Sequence, residues 1–102
     1  LMARVYPNGS ADVNHFHAAG GLGFVIRELI DAGLLHGDLK CVHGGDLRQQ
    51  SLEPHLDGTR LTWRDPPPAS GDLNVLRPVA EPFDAEGGLR LVTGRLGRAV
   101  VK

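Results

Sequence analysis

Hydrophobic residues recur at intervals of three and four in one part of the chain. Leu22, Val25, Ile26, Leu29 and Ile30 fall on one side of an α-helix, and Arg27, Glu28 and Asp31 fall on the other. The spacing predicts one main helix over residues 19–32. Gly33 stands where a left-handed cap ends such a helix, and Leu34 can fold back on the last turn. Before it, Pro7-Asn8-Gly9-Ser10 marks a turn, and Asp12 or Asn14 can cap a short preceding turn.

After the helix the pattern shortens. Leu39 and Cys41 alternate with polar neighbours until Gly44-Gly45, which fits a short strand and an extended loop equally. Ser51-Leu52-Glu53-Pro54 permits a helix only if Pro54 lies in its first turn. Leu61-Thr62-Trp63 reads as a brief strand, and Val75-Leu76 as another that Pro78 ends. Between these two lies Asp65-Pro66-Pro67-Pro68, a stiff extended spacer. Leu89–Thr93 and Ala99–Lys102 read as strands joined by a reversal at Gly94–Arg98. The fold class expected is α+β. The proline stretch, residues 65–72, marks a boundary between an α-plus-loop part, 1–64, and a β part, 73–102.

Composition narrows the function classes. Eleven basic residues against 12 acidic ones leave a net charge of −1, without the basic excess of a nucleic-acid-binding module. No apolar run reaches the ~18 residues of a membrane span, and no signal peptide is visible. A lone Cys41 excludes an internal disulfide and fits a reducing compartment. The chain stops within an apolar strand pattern, so we expect a piece of a longer protein. Its unpaired edges, Val100 and Val101 among them, are expected to associate in solution.

The chemistry-bearing residues concentrate in ADVNHFHAAGG, residues 11–21. His15 and His17 are two apart, a spacing that shares a face only on a strand. With Cys41 and His43 they would make four soft ligands, but H-x-H followed by C-x-H is no established zinc pattern. Gly20-Gly21-x-Gly23 resembles a phosphate-cradling loop, although a dinucleotide fingerprint needs a strand before it, and close helix packing explains the glycines as well. Two readings of the histidines remain open. Either they bond to backbone where a helix begins, or they face an anionic substrate as hydrogen-bond or proton donors.

Taken in order, ARVYPNGSADVNHFHAAGGLGFVIRELIDAGLLHGDL, then SLEPHL, then NVLRPVAEPFDAEGGLRLVTGRLGRAVVK, resemble a segment of the dihydroxy-acid and 6-phosphogluconate dehydratase family. NHFHAAGG points to the phosphogluconate branch, whereas AGLLHGD and the closing AVVK are shared more widely. The resemblance implies removal of water from 6-phospho-D-gluconate, giving 2-keto-3-deoxy-6-phosphogluconate. It implies an iron–sulfur cluster, of the 4Fe–4S type, acting as Lewis acid on the departing hydroxyl. It further implies a cytoplasmic homodimer whose N-terminal α/β domain precedes a barrel-like C-terminal β domain. The cluster cysteines would precede this segment and the catalytic base would follow Lys102, so the segment by itself is expected to be inactive. Asn14, His15 and His17 fall in the branch-specific stretch and are expected to border the substrate pocket.

Overall fold

A computed structural model describes all of residues 1–102. Two helices come first, α1 at Val13–Ala19 and α2 at Gly21–Asp31. A 3-10 turn at Arg48–Ser51 leads into β1, Glu53–Asp57, which pairs antiparallel with β2, Arg60–Arg64. A second hairpin joins β3, Arg90–Gly94, to β4, Gly97–Val101. The α+β class holds, built from two helices and two separate two-stranded sheets.

The single helix expected over 19–32 is in fact two. Gly20, at φ 139°, breaks the ladder in a conformation that side chains rarely adopt. The break has a packing cause as well. A Cβ on Gly20 would sit 3.0 Å from Cβ of Phe24 and 3.4 Å from a methyl of Leu76. The far end of α2 follows the sequence closely. Gly33 is left-handed at φ 72°, its N–H donates to the Ile30 carbonyl, and the Leu34 N–H donates back to Leu29 at 2.9 Å. Those two bonds satisfy carbonyls that the helix end would leave orphaned.

The face assignment of α2 also needs correction. Leu22, placed on the apolar stripe, is largely exposed, while Phe24, outside that stripe, is 1% exposed. Arg27 and Glu28 are half-buried beside Phe24 rather than solvated. Phe24, Arg27 and Glu28 share a helix face by their spacing of three and four. That face meets the proline segment.

The core itself is Ala19, Phe24, Val75 and Leu76, with Ala3, Val5, Ala11, Phe16 and Val25 packed on it. It therefore draws on residues from both sides of the proline segment. Val75-Leu76 is no strand. Both amides bond the Asp72 carbonyl in a tight turn, and Leu76 makes a single antiparallel bridge to Ala3. Around that bridge the first residues of the chain pair with later ones. Arg4 N–H donates to Val75, Arg77 N–H to Met2 and Phe83 N–H to Leu1, each at 2.8 Å. Arg4 and Arg77 both lie over the Phe83 ring.

Residues 65–72 are docked rather than free. The Arg27 guanidinium donates to the carbonyls of Pro66 at 3.2 Å, Pro67 at 2.7 Å and Pro68 at 3.4 Å. Gly71 N–H donates to the Ala19 carbonyl at 2.9 Å, the last turn of α1.

The region around Pro54, which the sequence left between helix and loop, is β1. Asp57 and Arg60 pair across a two-residue turn at Gly58-Thr59, so the next pairs alternate in hydrogen bonding. Pro54 faces Trp63 at a non-bonded position, where its missing N–H costs nothing. Alternation puts Pro54, Leu56, Leu61 and Trp63 on one face and the charged residues, with the Glu53–Arg64 pair at 2.6 Å, on the other. The apolar face points outward, with Trp63 62% exposed. The segment around Cys41 is a loop closed by a Lys40–Asp46 bridge. Strands β3 and β4 are exposed throughout, Val100 and Val101 included.

Two side chains, Phe24 and Leu76, carry the fully buried volume of this small core. Leu76→Ala in the intact protein should cost about 3 kcal/mol of stability, as a large-to-small change at a packed site. The measurement is the shift of the unfolding midpoint, and a cost below ~1 kcal/mol would place the core elsewhere.

Candidate functional site

The polar stretch around His15 is helical, and its chemistry begins with the cap. Asp12 is the N-cap of α1, with extended backbone, and its carboxylate accepts the His15 N–H at 3.0 Å. The His15 ring turns back over Asp12. Its Nδ1 lies 2.7 Å from Oδ1 of Asp12 and 3.2 Å from the Asp12 backbone nitrogen. This is a reciprocal capping box in which an imidazole takes the place usually held by Glu or Gln. The two contacts ask opposite things of Nδ1. With a proton there it donates to the carboxylate; without one it accepts from the backbone N–H. The carboxylate favours the first.

The backbone bond from His15 holds the Asp12 carboxyl below the ordinary carboxylate range. Desolvation opposes it, and the His15 side-chain bond and charge add smaller lowering contributions.

Asn14 and His17 are placed differently. They are three residues apart, so they neighbour each other on one exposed face of α1. Neither side chain bonds to another group of the chain. His17 Nδ1 lies 3.4 Å from the position a Cβ would take on Gly21, so the glycine leaves room for the ring. The three residues named from the sequence thus divide. His15 is engaged in the cap, while Asn14 and His17 present free polar groups side by side. The two-residue spacing of the histidines separates them around the helix.

The other sequence candidates do not join them. No three His, Cys, Asp or Glu side chains converge to hold a metal ion. Cys41 is half-buried, with its Sγ 3.7 Å from the Leu39 carbonyl. An iron–sulfur cluster needs about three or four thiolates, so the residues of this chain do not fit one. The glycines at 20, 21 and 23 serve packing. A Cβ on Gly23 would collide with the Ser51 carbonyl oxygen, because the 3-10 turn lies directly against α2. A cleft of about 560 Å³ opens beside that turn, lined by His43, Gln49, Gln50, Leu52 and Trp63. It contains none of Asn14, His15 or His17. No helix is long and apolar enough to cross a membrane.

Sequence reasoning overlooked Arg27 and Glu28. Three successive prolines expose carbonyls with no neighbouring N–H to pair them, and a cation one helical turn from an aromatic was the available signal.

Residues 1–50 match the family described as "Dihydroxy-acid/6-phosphogluconate dehydratase N-terminal". A phosphogluconate dehydratase of Pseudomonas aeruginosa is 56% identical over 101 residues, which is 99% of this chain and 17% of that protein. The chain belongs to the dihydroxy-acid/6-phosphogluconate dehydratase family. A phosphogluconate dehydratase of Escherichia coli is 50% identical over all of this chain and 17% of its own length. A dihydroxy-acid dehydratase of Haloarcula marismortui is 34% identical over 99% of this chain and 16% of its own. The chain thus spans about one-sixth of the length of these dehydratases. The two helices and the capping box lie within the matched residues 1–50, and the proline segment packs against them from beyond it.

The depressed carboxyl fixes a pH dependence with a definite sign. Asp12 contributes to α1 fully above the ordinary carboxylate range, and that contribution is lost as pH falls through its lower folded value. NMR of the His15 amide across this acid range should show the bond to Asp12 breaking. Asp12→Asn should keep the cap, since Asn caps equally well, and flatten the pH response. An identical titration in both proteins would remove Asp12 as its cause.

Proposed function

We propose that the chain is a segment of a phosphogluconate dehydratase, which removes water from 6-phospho-D-gluconate to give 2-keto-3-deoxy-6-phosphogluconate. The observation that carries this is a gradient of identity. Phosphogluconate dehydratases of two bacteria match at 56% and 50% over essentially the whole chain, whereas a dihydroxy-acid dehydratase matches at 34%. The intact enzyme would use an iron–sulfur cluster of the 4Fe–4S type, with its cysteines outside these 102 residues. The single Cys41 cannot supply such a ligand set. The cytoplasmic homodimer and the absence of nucleic-acid and membrane partners belong to the same reading, which the lone free thiol and balanced charge support.

On this reading, residues 1–64 close the N-terminal domain, 65–72 cross between domains and 73–102 open the barrel-like β domain. The family match over residues 1–50 and the separate β3–β4 hairpin support a division, although Val75 and Leu76 still pack in the core with α1 and α2. Asn14, His15 and His17 border the substrate pocket. Asn14 and His17 suit contact with phosphate or hydroxyl groups, because their polar atoms are exposed and unengaged within the chain. His15 shapes the same edge through the cap.

Turnover by the intact enzyme decides the substrate. It should dehydrate 6-phosphogluconate far faster than a branched dihydroxy acid; the reverse preference would move it to the other branch. The division among the three residues is equally testable. Asn14→Ala and His17→Ala should each raise KM by about tenfold, the weight of one hydrogen bond to a charged group, with unfolding unchanged. His15→Ala should lower the stability of α1. Normal KM in both Asn14→Ala and His17→Ala removes the α1 face from the pocket.

A further inference from the structure

Arg27 lies where three segments of the chain meet. Its side chain is only 18% exposed, and its guanidinium sits 5.0 Å over the Phe24 ring. From there it reaches three carbonyls in succession, those of Pro66, Pro67 and Pro68. The neighbouring Glu28 completes the arrangement. One carboxylate oxygen takes Arg27 at 3.4 Å and the other accepts the Val79 N–H at 3.1 Å. A planar guanidinium with five fixed donors suits this task, and an ammonium does not.

The chain then runs from the clamp to α1. Three residues beyond Pro68, Gly71 donates to the Ala19 carbonyl, and a Cβ on Gly71 would lie 3.2 Å from the Ala18 carbonyl oxygen. Below that contact Val75 and Leu76 enter the core against Ala19 and Phe24. The strap formed by residues 65–71 is thus fixed to α2 at one end and to the last turn of α1 at the other. The helices join only at Gly20, the most permissive residue available. Backbone bonds around Gly20 and the packing of Phe16 and Ala19 seat α1 on the core, and the strap adds the contact at its last turn.

We propose that Arg27 is a positioning residue: by clamping the Pro66–Pro68 strap on α2 it fixes, through Gly71, the face of α1 that carries Asn14 and His17. The proposal rests on the reading of that face as the pocket edge. Arg27 touches no substrate. Its loss lets α1 swing about Gly20, and the two polar side chains leave their places while the chemistry elsewhere is intact.

The test uses the intact enzyme and compares Arg27→Ala, Arg27→Lys and Gly71→Ala with the parent. Kinetics use whichever hydroxy acid the parent dehydrates, so a wrong substrate assignment leaves the comparison valid and shows itself separately. Arg27→Ala should raise KM by about tenfold with kcat held within about twofold, the pattern of lost ground-state positioning. Methylguanidinium in solution should restore part of the loss. Arg27→Lys should behave like Arg27→Ala. Hydrogen exchange should quicken at the amides of Phe16–Gly20, a readout independent of activity. Gly71→Ala, which presses the strap against the Ala18 carbonyl and spares Arg27, should shift KM in the same direction and serves if Arg27→Ala does not fold. Unchanged KM in Gly71→Ala, unchanged exchange in α1, or full activity in Arg27→Lys would each overturn the proposal.

Discussion

Phe24 and Leu76 meet across Gly20, and the rest of the molecule is arranged around that contact. Both side chains are fully buried, and a Cβ at position 20 would be tight against Phe24 and in contact with Leu76. The helix axis breaks there, α1 turns away from α2, and Ala19 is left facing the core. Because Leu76 comes from beyond the proline segment, the contact also pins a distant part of the chain beneath the helices. The bridge to Ala3 then draws in the N-terminal residues. Close packing of this kind tolerates little change of volume, which gives the glycine a steric reason as well as a conformational one.

The same break separates engaged from unengaged polar groups. Between its caps at Asp12 and Gly20, α1 carries the capping box in its first turn, with Asn14 inside that turn and His17 beyond it. His15 is drawn back to Asp12. Asn14 and His17 remain side by side facing outward. Family membership gives that face its interest, and the proline strap meets α1 at its last turn.

The apolar surfaces of the two hairpins point the same way as the comparisons. Only 9 of 102 residues are buried, too few for a chain of this length to have used its hydrophobic content. On the first hairpin the charged face is the more covered and the apolar face the more open. Such inverted amphipathy is unusual for a self-contained unit and fits a segment that makes up about one-sixth of its relatives' length.

Local rules carried much of this in the sequence. The α+β class, the end of α2 at Gly33, the turn at Pro7–Ser10 and the final hairpin follow from periodicity and turn chemistry, which act within a few residues. The strand at Glu53–Asp57 was signalled by Asp57-Gly58 but obscured by Pro54, whose harmlessness depends on pairing register. Tertiary structure decided what long-range packing alone can set. It split one predicted helix in two at Gly20, whose φ of 139° lets Phe24 and Leu76 pack beside it. It buried Phe24 in place of Leu22, and it docked the stiff proline spacer on α2 as a strap held by Arg27. It also divided His15 from His17, since the sequence shows their spacing and only the fold shows which of them the cap at Asp12 engages.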